Sequence, residues 1–183
     1  MKILKQNIKI PALTGKRTIA KATDLFTGWI DLDFKNWSTD VKGIKTKATE
    51  LACLEIEKNG TFKDIFETYS KDLDSLVLTE DQIIEYVEKN QDLIHDWYTF
   101  FLFKVNDEFF VARVYGDDGE LKARVYRFSY EFVWGAEYRC RVVIPQLALK
   151  TSSAISLEPS ATLSLEAAIA KVKEAGYQVS KIL

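Results

Sequence analysis

Reactive and metal-binding side chains are scarce in this chain of 183 residues: two cysteines, one histidine and one methionine. Cys53 and Cys140 lie far apart, and neither has a second Cys or a His at ligand spacing, so a zinc site is excluded and no metal or other cofactor is expected. Each sits in an apolar-leaning run, where a small buried thiol is the default, and a reducing, cytoplasmic setting fits. Proline is also sparse, with three residues. No stretch approaches the ~18 consecutive apolar residues of a membrane span. Lys5 and Lys9 interrupt the first apolar segment, so no secretory leader is expected. The chain has no Gly-x-x-x-x-Gly-Lys, Gly-x-Gly-x-x-Gly, Gly-x-Ser-x-Gly or His-Glu-x-x-His string, which removes the common phosphate, dinucleotide, esterase and zinc-protease signatures.

What is abundant is ordinary core material and aromatic rings. The chain is 47% hydrophobic and 28% charged, as globular domains are, with an aromatic share of 13%. At this length a fold buries roughly 70% of the surface of its unfolded chain and needs no disulfide or metal to hold it. The net charge of −2 hides an asymmetry: residues 1–60 hold eleven basic and seven acidic groups, residues 61–100 three and ten, residues 101–183 eleven and ten. A basic arm over residues 1–17 thus precedes an acidic middle. It could attract phosphate or an acidic protein face, but pairing with the chain's own acidic segment is the simpler reading.

Periodicity then divides the chain. Pro11 and Gly15 break the N-terminal arm, and apolar residues from Ile19 to Ile30 fall at helical spacing, predicting a helix over about 19–36. Gly28 and the alternation of Ile30, Leu32 and Phe34 give a competing reading, a helix broken near Gly28 with strand character after it. Residues 48–58 lean to a strand. Thr61 with Asp64 predicts a capped helix over 62–69, and Thr79 with Gln82, stapled by Leu78 and Ile83, a helix from 80 to about 94. On that helix Glu85, Glu88, Asp92 and His95 oppose the apolar stripe. A solvated face suits them better than a metal site, because no second Glu-x-x-His appears.

Residues 98–145 read as an antiparallel meander, with strands Thr99 to Val105, Glu108 to Tyr115, Glu120 to Phe128 and about Glu137 to Ile144, the last stopping at Pro145. Turns at Asn106-Asp107 and Gly116–Gly119 pair Val105 with Glu108 and Tyr115 with Glu120. These registers sort the side chains into a core face (Phe101, Phe103, Phe110, Ala112, Val114, Leu121, Ala123, Val125) and a second face that interleaves Phe100, Leu102, Phe109 and Val111 with Lys104, Arg113, Tyr115, Lys122, Arg124, Tyr126 and Phe128. Residues 150–162 read as a linker, and 163–183 as a helix and strand docked on the main domain of residues 1–149. The predicted class is α+β: an antiparallel meander packed by helices, with a C-terminal helix–strand unit.

The run TFFLFKVNDEFFVARVY at 99–115, with Val133–Arg139 and Val142–Gln146, resembles uncharacterised bacterial hypothetical proteins. The similarity extends back to Asp33-Phe34-Lys35-Asn36-Trp37 and covers most of residues 18–147. It implies a bacterial single-domain protein and brings no functional residue with it.

The best functional reading is a non-catalytic binding or adaptor protein that recognises another protein. Tyr130, Phe132 and Trp134, in a loop too aromatic to be left in water, and Trp97 with Tyr98 are candidate contacts, since aromatics dominate interface hot spots; core packing is the simpler role for Trp97. The alternative is a weak single-stranded nucleic-acid binder in which Arg113, Lys122, Arg124 and Tyr126 on the second sheet face, with the basic arm of residues 1–17, hold phosphates and stack bases. Against it, Phe100, Leu102 and Val111 form an apolar patch that helices should cover, with Lys and Arg stems lying over its rim. A third class is a small hydrolase using acidic residues at a cleft, such as Asp31/Asp33, Asp72/Asp74 or Asp117/Asp118. None of these pairs has a supporting pattern, no catalytic or metal residue is nominated, and His95 suits an exposed helix end. A membrane is not an expected partner, whereas a second copy of the chain is admissible.

Overall fold

Two tight turns organise the sheet. Asn106 and Asp107 take left-handed backbone angles (φ 49° and 63°), as do Asp118 and Gly119 (51° and 81°), the two-residue geometry whose twist matches antiparallel strands. They join β4 (Thr99–Val105), β5 (Glu108–Asp117) and β6 (Glu120–Arg127). The computed structural model describes residues 2–94 and 98–149. The expected linker and C-terminal helix–strand, and the candidates His95 and Trp97, lie outside the described residues.

Val105 pairs with Glu108 as expected, but Asp117, not Tyr115, pairs with Glu120, and Tyr115 pairs with Lys122. The second turn is two residues long, because Asp118 and Gly119 supply both left-handed positions and leave Gly116 and Asp117 in the strand. The pairing moves by two residues. A two-residue step leaves every side chain on the face it had, so the assignment of faces survives.

The fourth meander strand is a correction. β7 (Arg141–Pro145) does not lie beside β6. It is inserted between β3 (Thr49–Glu55) and β4, antiparallel to the first and parallel to the second. Strands β6 and β7 therefore run the same way, and a parallel return needs a crossover. Residues 128–140 are that crossover, which is why they are aromatic: Trp134 is buried on the second face against Phe62 and Phe100. Residues Ala136–Tyr138 form a 3-10 turn rather than strand, and Arg139 (φ 47°) redirects the chain into β7.

The full order is β1-β3-β7-β4-β5-β6-β2, a mixed sheet of seven strands. The expected basic arm is β1 (Lys2–Ile10), an edge strand paired to β3 with two register shifts. Its inward Ile8 and Ile10 are buried, while Lys2, Lys5 and Lys9 stay exposed, a composition that discourages edge-to-edge pairing. The helix expected over 19–36 is not formed. In its place are a 3-10 turn at Ile19–Lys21, the short β2 (Trp29–Ile30) and one helical turn, α1 (Asp33–Asn36). Gly28 and Asp31 donate their N–H groups to the Leu121 and Ala123 carbonyls of β6 (3.0 and 2.9 Å), so the sheet edge wins over local helical spacing.

Both sheet faces are covered. On one, α3 (Glu80–Lys89), α1 and the Ile19 turn pack on Phe101, Phe103, Ala112, Val114 and their neighbours. On the other, α2 (Phe62–Glu67), the Leu73–Leu76 turn and Trp134 cover Phe100, Leu102 and Val111. Both capping boxes, Thr61/Asp64 and Thr79/Gln82, are formed. The second helix stops at Lys89, not near 94, because Asn90 leaves helical geometry and its side-chain amide donates to the Tyr86 carbonyl (2.9 Å). Its acidic face is solvated only in part: Glu88 and Asp92 are exposed as expected, whereas Glu85 is buried. Asp81 accepts from the N–H groups of Gly15 (2.8 Å) and Lys16 (3.2 Å), and Arg17 reaches Asp81 (2.5 Å), Glu85 (2.7 Å) and Glu88 (2.7 Å). Among the described residues, no helix is long and apolar enough to cross a membrane.

Candidate functional site

The apolar half of the second face is closed, and its far end is where the predicted site residues meet. Arg113 on β5 stands directly opposite Arg124 on β6, a like-charge cross-strand pair that is unfavourable without something between or beside it. Aromatic rings from the strands and the crossover supply part of that. The Arg113 guanidinium lies 4.4 Å from the centre of Tyr98, 4.7 Å from Tyr115, 5.6 Å from Tyr126 and 5.7 Å from Trp134. Arg124 lies 5.7 Å from Tyr126 and 5.8 Å from Trp29. Ring faces carry negative potential, so this is a cation cage.

The two arginines differ in their anions. Arg124 is 3.5 Å from the Asp31 carboxylate, whereas Arg113, only 8% exposed, has no carboxylate partner among the described residues, and its Nε–H has no acceptor. Burial raises the Tyr126 hydroxyl pKa, with Arg113 and Arg124 pulling it down. Burial also lifts the Cys140 thiol to about 12, against the pull of Arg113, which makes Cys140 a packing residue and a poor nucleophile.

A cavity of about 350 Å³ opens over this cage, lined by Tyr98, Arg113, Arg124, Tyr126, Tyr130, Phe132, Trp134 and Tyr138. A groove of about 880 Å³ shares Arg124, Tyr126, Tyr130 and Phe132 with it and runs on to Trp29 and Trp37. Tyr130 and Phe132 stack on each other (6.1 Å, 13°) and remain 45% and 48% exposed. Phe132 meets Trp134 edge-on at 4.8 Å, so the exposed rings rest on a buried one.

Seven of the nine sequence-predicted candidates thus share one pocket: Tyr98, Arg113, Arg124, Tyr126, Tyr130, Phe132 and Trp134. Lys122 does not join them. It reaches the Asp117 carboxylate (2.6 Å) beside the second turn. Trp134 belongs to the floor and not to the rim. Tyr138 lines the cavity and was missed, because residues from Glu137 onward read as strand. The acidic pairs are occupied elsewhere: Asp31 with Arg124, Asp74 with Lys104 (2.9 Å) and Asp117 with Lys122. Among the described residues, no three His, Cys, Asp or Glu side chains gather as a metal site. Comparison of the chain with protein-family models, curated proteins and solved structures finds no match.

Proposed function

We propose that this is a non-catalytic binding protein that takes a segment of another protein across the aromatic rim of its second sheet face. The observation that carries the reading is the exposure of Tyr130, Phe132 and Tyr138 around a cavity floored by the buried Trp134, with Val133 exposed beside them. Large rings held against a packed base lose little side-chain entropy on binding, which is the property of a hot spot. Free, buried Cys53 and Cys140 support a reducing, cytoplasmic setting.

Single-stranded nucleic acid is a weaker fit. Stacking rings are present at Tyr130 and Phe132, but apart from Arg113 the cations needed along a phosphate backbone are engaged: Lys122 by Asp117, Arg127 by Glu108 (3.0 Å), Lys104 by Asp74 and Arg124 by Asp31. Such binding would show as affinity for single-stranded RNA that falls steeply with salt.

The test is selection of a displayed random-peptide library on the full chain. We expect convergence on a motif with at least one aromatic or large aliphatic residue. Selected peptides should bind a Tyr130→Ser/Phe132→Ser variant at least about tenfold more weakly, with thermal unfolding unchanged. Absence of a motif, or equal binding to the variant, removes the reading.

A further inference from the structure

Arg113 is the one cation of the pocket that the described chain leaves without an anion. A buried guanidinium ordinarily has a carboxylate beside it, because burial strips away the water that would solvate the charge. Here the four surrounding rings supply quadrupole attraction only. Rings accept no in-plane hydrogen bond from the guanidinium edge, and the Nε–H without an acceptor shows that edge unsatisfied. Arg124 stands directly opposite and adds a second positive charge, of which Asp31 offsets one. The cavity at this point holds two arginines and, among its lining residues, no acid. Its net need is for one negative charge, placed against the planar donor fork of Arg113 with apolar surface on either side.

We infer that Arg113 is the anion-reading centre of this pocket, and that the protein segment it takes presents a carboxylate next to an aromatic or large aliphatic side chain. This rests on the protein-binding reading above and specifies its ligand. The carboxylate accepts hydrogen bonds from Arg113, while the neighbouring side chain covers Tyr130 and Phe132. An acidic side chain and a chain-terminal carboxylate both meet the description, since a guanidinium fork matches either in the same bidentate way.

The test uses small probes on the full-length, nitrogen-15-labelled protein: N-acetylphenylalanine, which joins a carboxylate to a ring; N-acetylphenylalaninamide, which lacks the charge; and phenyl phosphate. Two resonances report the site: the Arg113 Nε–H, assigned by its loss in Arg113→Met, and the Trp134 indole N–H, which has no acceptor in the structure. The acid is expected to shift both saturably and to bind at least about tenfold tighter than the amide, the margin a charge-assisted hydrogen bond supplies. Arg113→Met should bring the acid down to the level of the amide. The acid and amide comparison needs no variant, so it holds even if that substitution disturbs folding. Equal binding of acid and amide overturns the carboxylate subsite while leaving the aromatic rim reading intact. Phenyl phosphate binding well above the acid overturns it in favour of a phosphoryl ligand. If none of the probes shifts either resonance at millimolar concentration, the subsite is overturned whatever the peptide selection gives, and the separate failure of that selection would remove the reading beneath it.

Discussion

Two arginines in this molecule are neutralised in opposite ways. Arg17, its side chain 37% exposed, meets the carboxylates of Asp81, Glu85 and Glu88 along one face of α3. Arg113 is more deeply buried and meets none among the described residues, standing instead among Tyr98, Tyr115, Tyr126 and Trp134. Burial lowers the pKa of Arg17, and the bonds to Asp81, Glu88 and Glu85 more than restore it, so its charge is secure. The first arrangement fastens the chain segment before the Ile19 turn to a helix. The second gathers rings from the strands and the crossover beside a cavity and leaves the buried Nε–H without an acceptor among the described residues. What distinguishes Arg113 is that no counter-ion stands beside it among the described residues, the difference on which its proposed binding role rests.

The comparison is broken most forcefully at Asp81. This buried carboxylate accepts from Gly15, Lys16 and Arg17 at once. Asp81→Ala leaves two backbone N–H groups and part of a guanidinium without acceptors. It should lower stability by about 2–4 kcal/mol, read as the loss in urea-unfolding midpoint at constant slope. Gly15 shares the sensitivity: it holds a left-handed φ of 72° with the Ile44 carbonyl lying where a Cβ would stand. A variant no weaker than the parent would show that the Arg17 cluster is a surface contact and not a fastening.

The neighbouring carboxylate gives a pH-dependent effect of middle size. Glu80 is buried, accepts the Ile19 N–H through Oε2 (2.6 Å) and has no partner at Oε1 among the described residues. Burial lifts its carboxyl to about 8; the Ile19 N–H and Lys21 oppose the shift and Asp40 adds to it. In the unfolded chain the same group loses its proton in the ordinary carboxylate range, near 4.3. Between those values the folded state binds more protons, so this group's contribution to stability declines as pH rises from about 4.3 to about 8. Glu80→Gln should flatten that decline and be the more stable form above pH 8 by about 1–2 kcal/mol, checked by unfolding curves at a series of pH values.

Much of this was legible in the sequence, and the reason is period. Alternation placed Phe101, Phe103 and Ala112 on one face and Arg113, Arg124 and Tyr126 on the other, and a pairing error of two residues at Glu120 left those assignments untouched. The capping boxes at Thr61 and Thr79 were equally plain, since both partners lie within one turn. What was hidden is non-local. Nothing near Arg141 tells that β7 enters between β3 and β4, and nothing near Lys2–Ile10 that this basic segment pairs with β3. Glu85 looked solvated because Arg17, which reaches it, comes from 68 residues away. Tyr138 was lost for the same reason: it lines the cavity only because the crossover turns back over the sheet.

The smallest expected effect on stability sharpens the comparison furthest. Replacing Arg113 with Met keeps an unbranched stem of similar reach and removes a buried charge that has no acid beside it among the described residues. Cation–ring contacts are lost, each on the order of 1 kcal/mol, but so is the desolvation of an unpaired guanidinium and the repulsion from Arg124 across the strand pair. These oppose one another, and the thermal midpoint should stay within a few degrees of the parent, corresponding to a change of about 1 kcal/mol or less. Arg17→Met, by contrast, strands Asp81 and Glu85 and should destabilise clearly at the same pH. Side-by-side unfolding of the two variants therefore asks whether each arginine belongs to the fold or to a ligand. If Arg113→Met unfolded as readily as Arg17→Met, the cage around Arg113 would be a structural fastening like the first, and the missing counter-ion would carry no functional meaning.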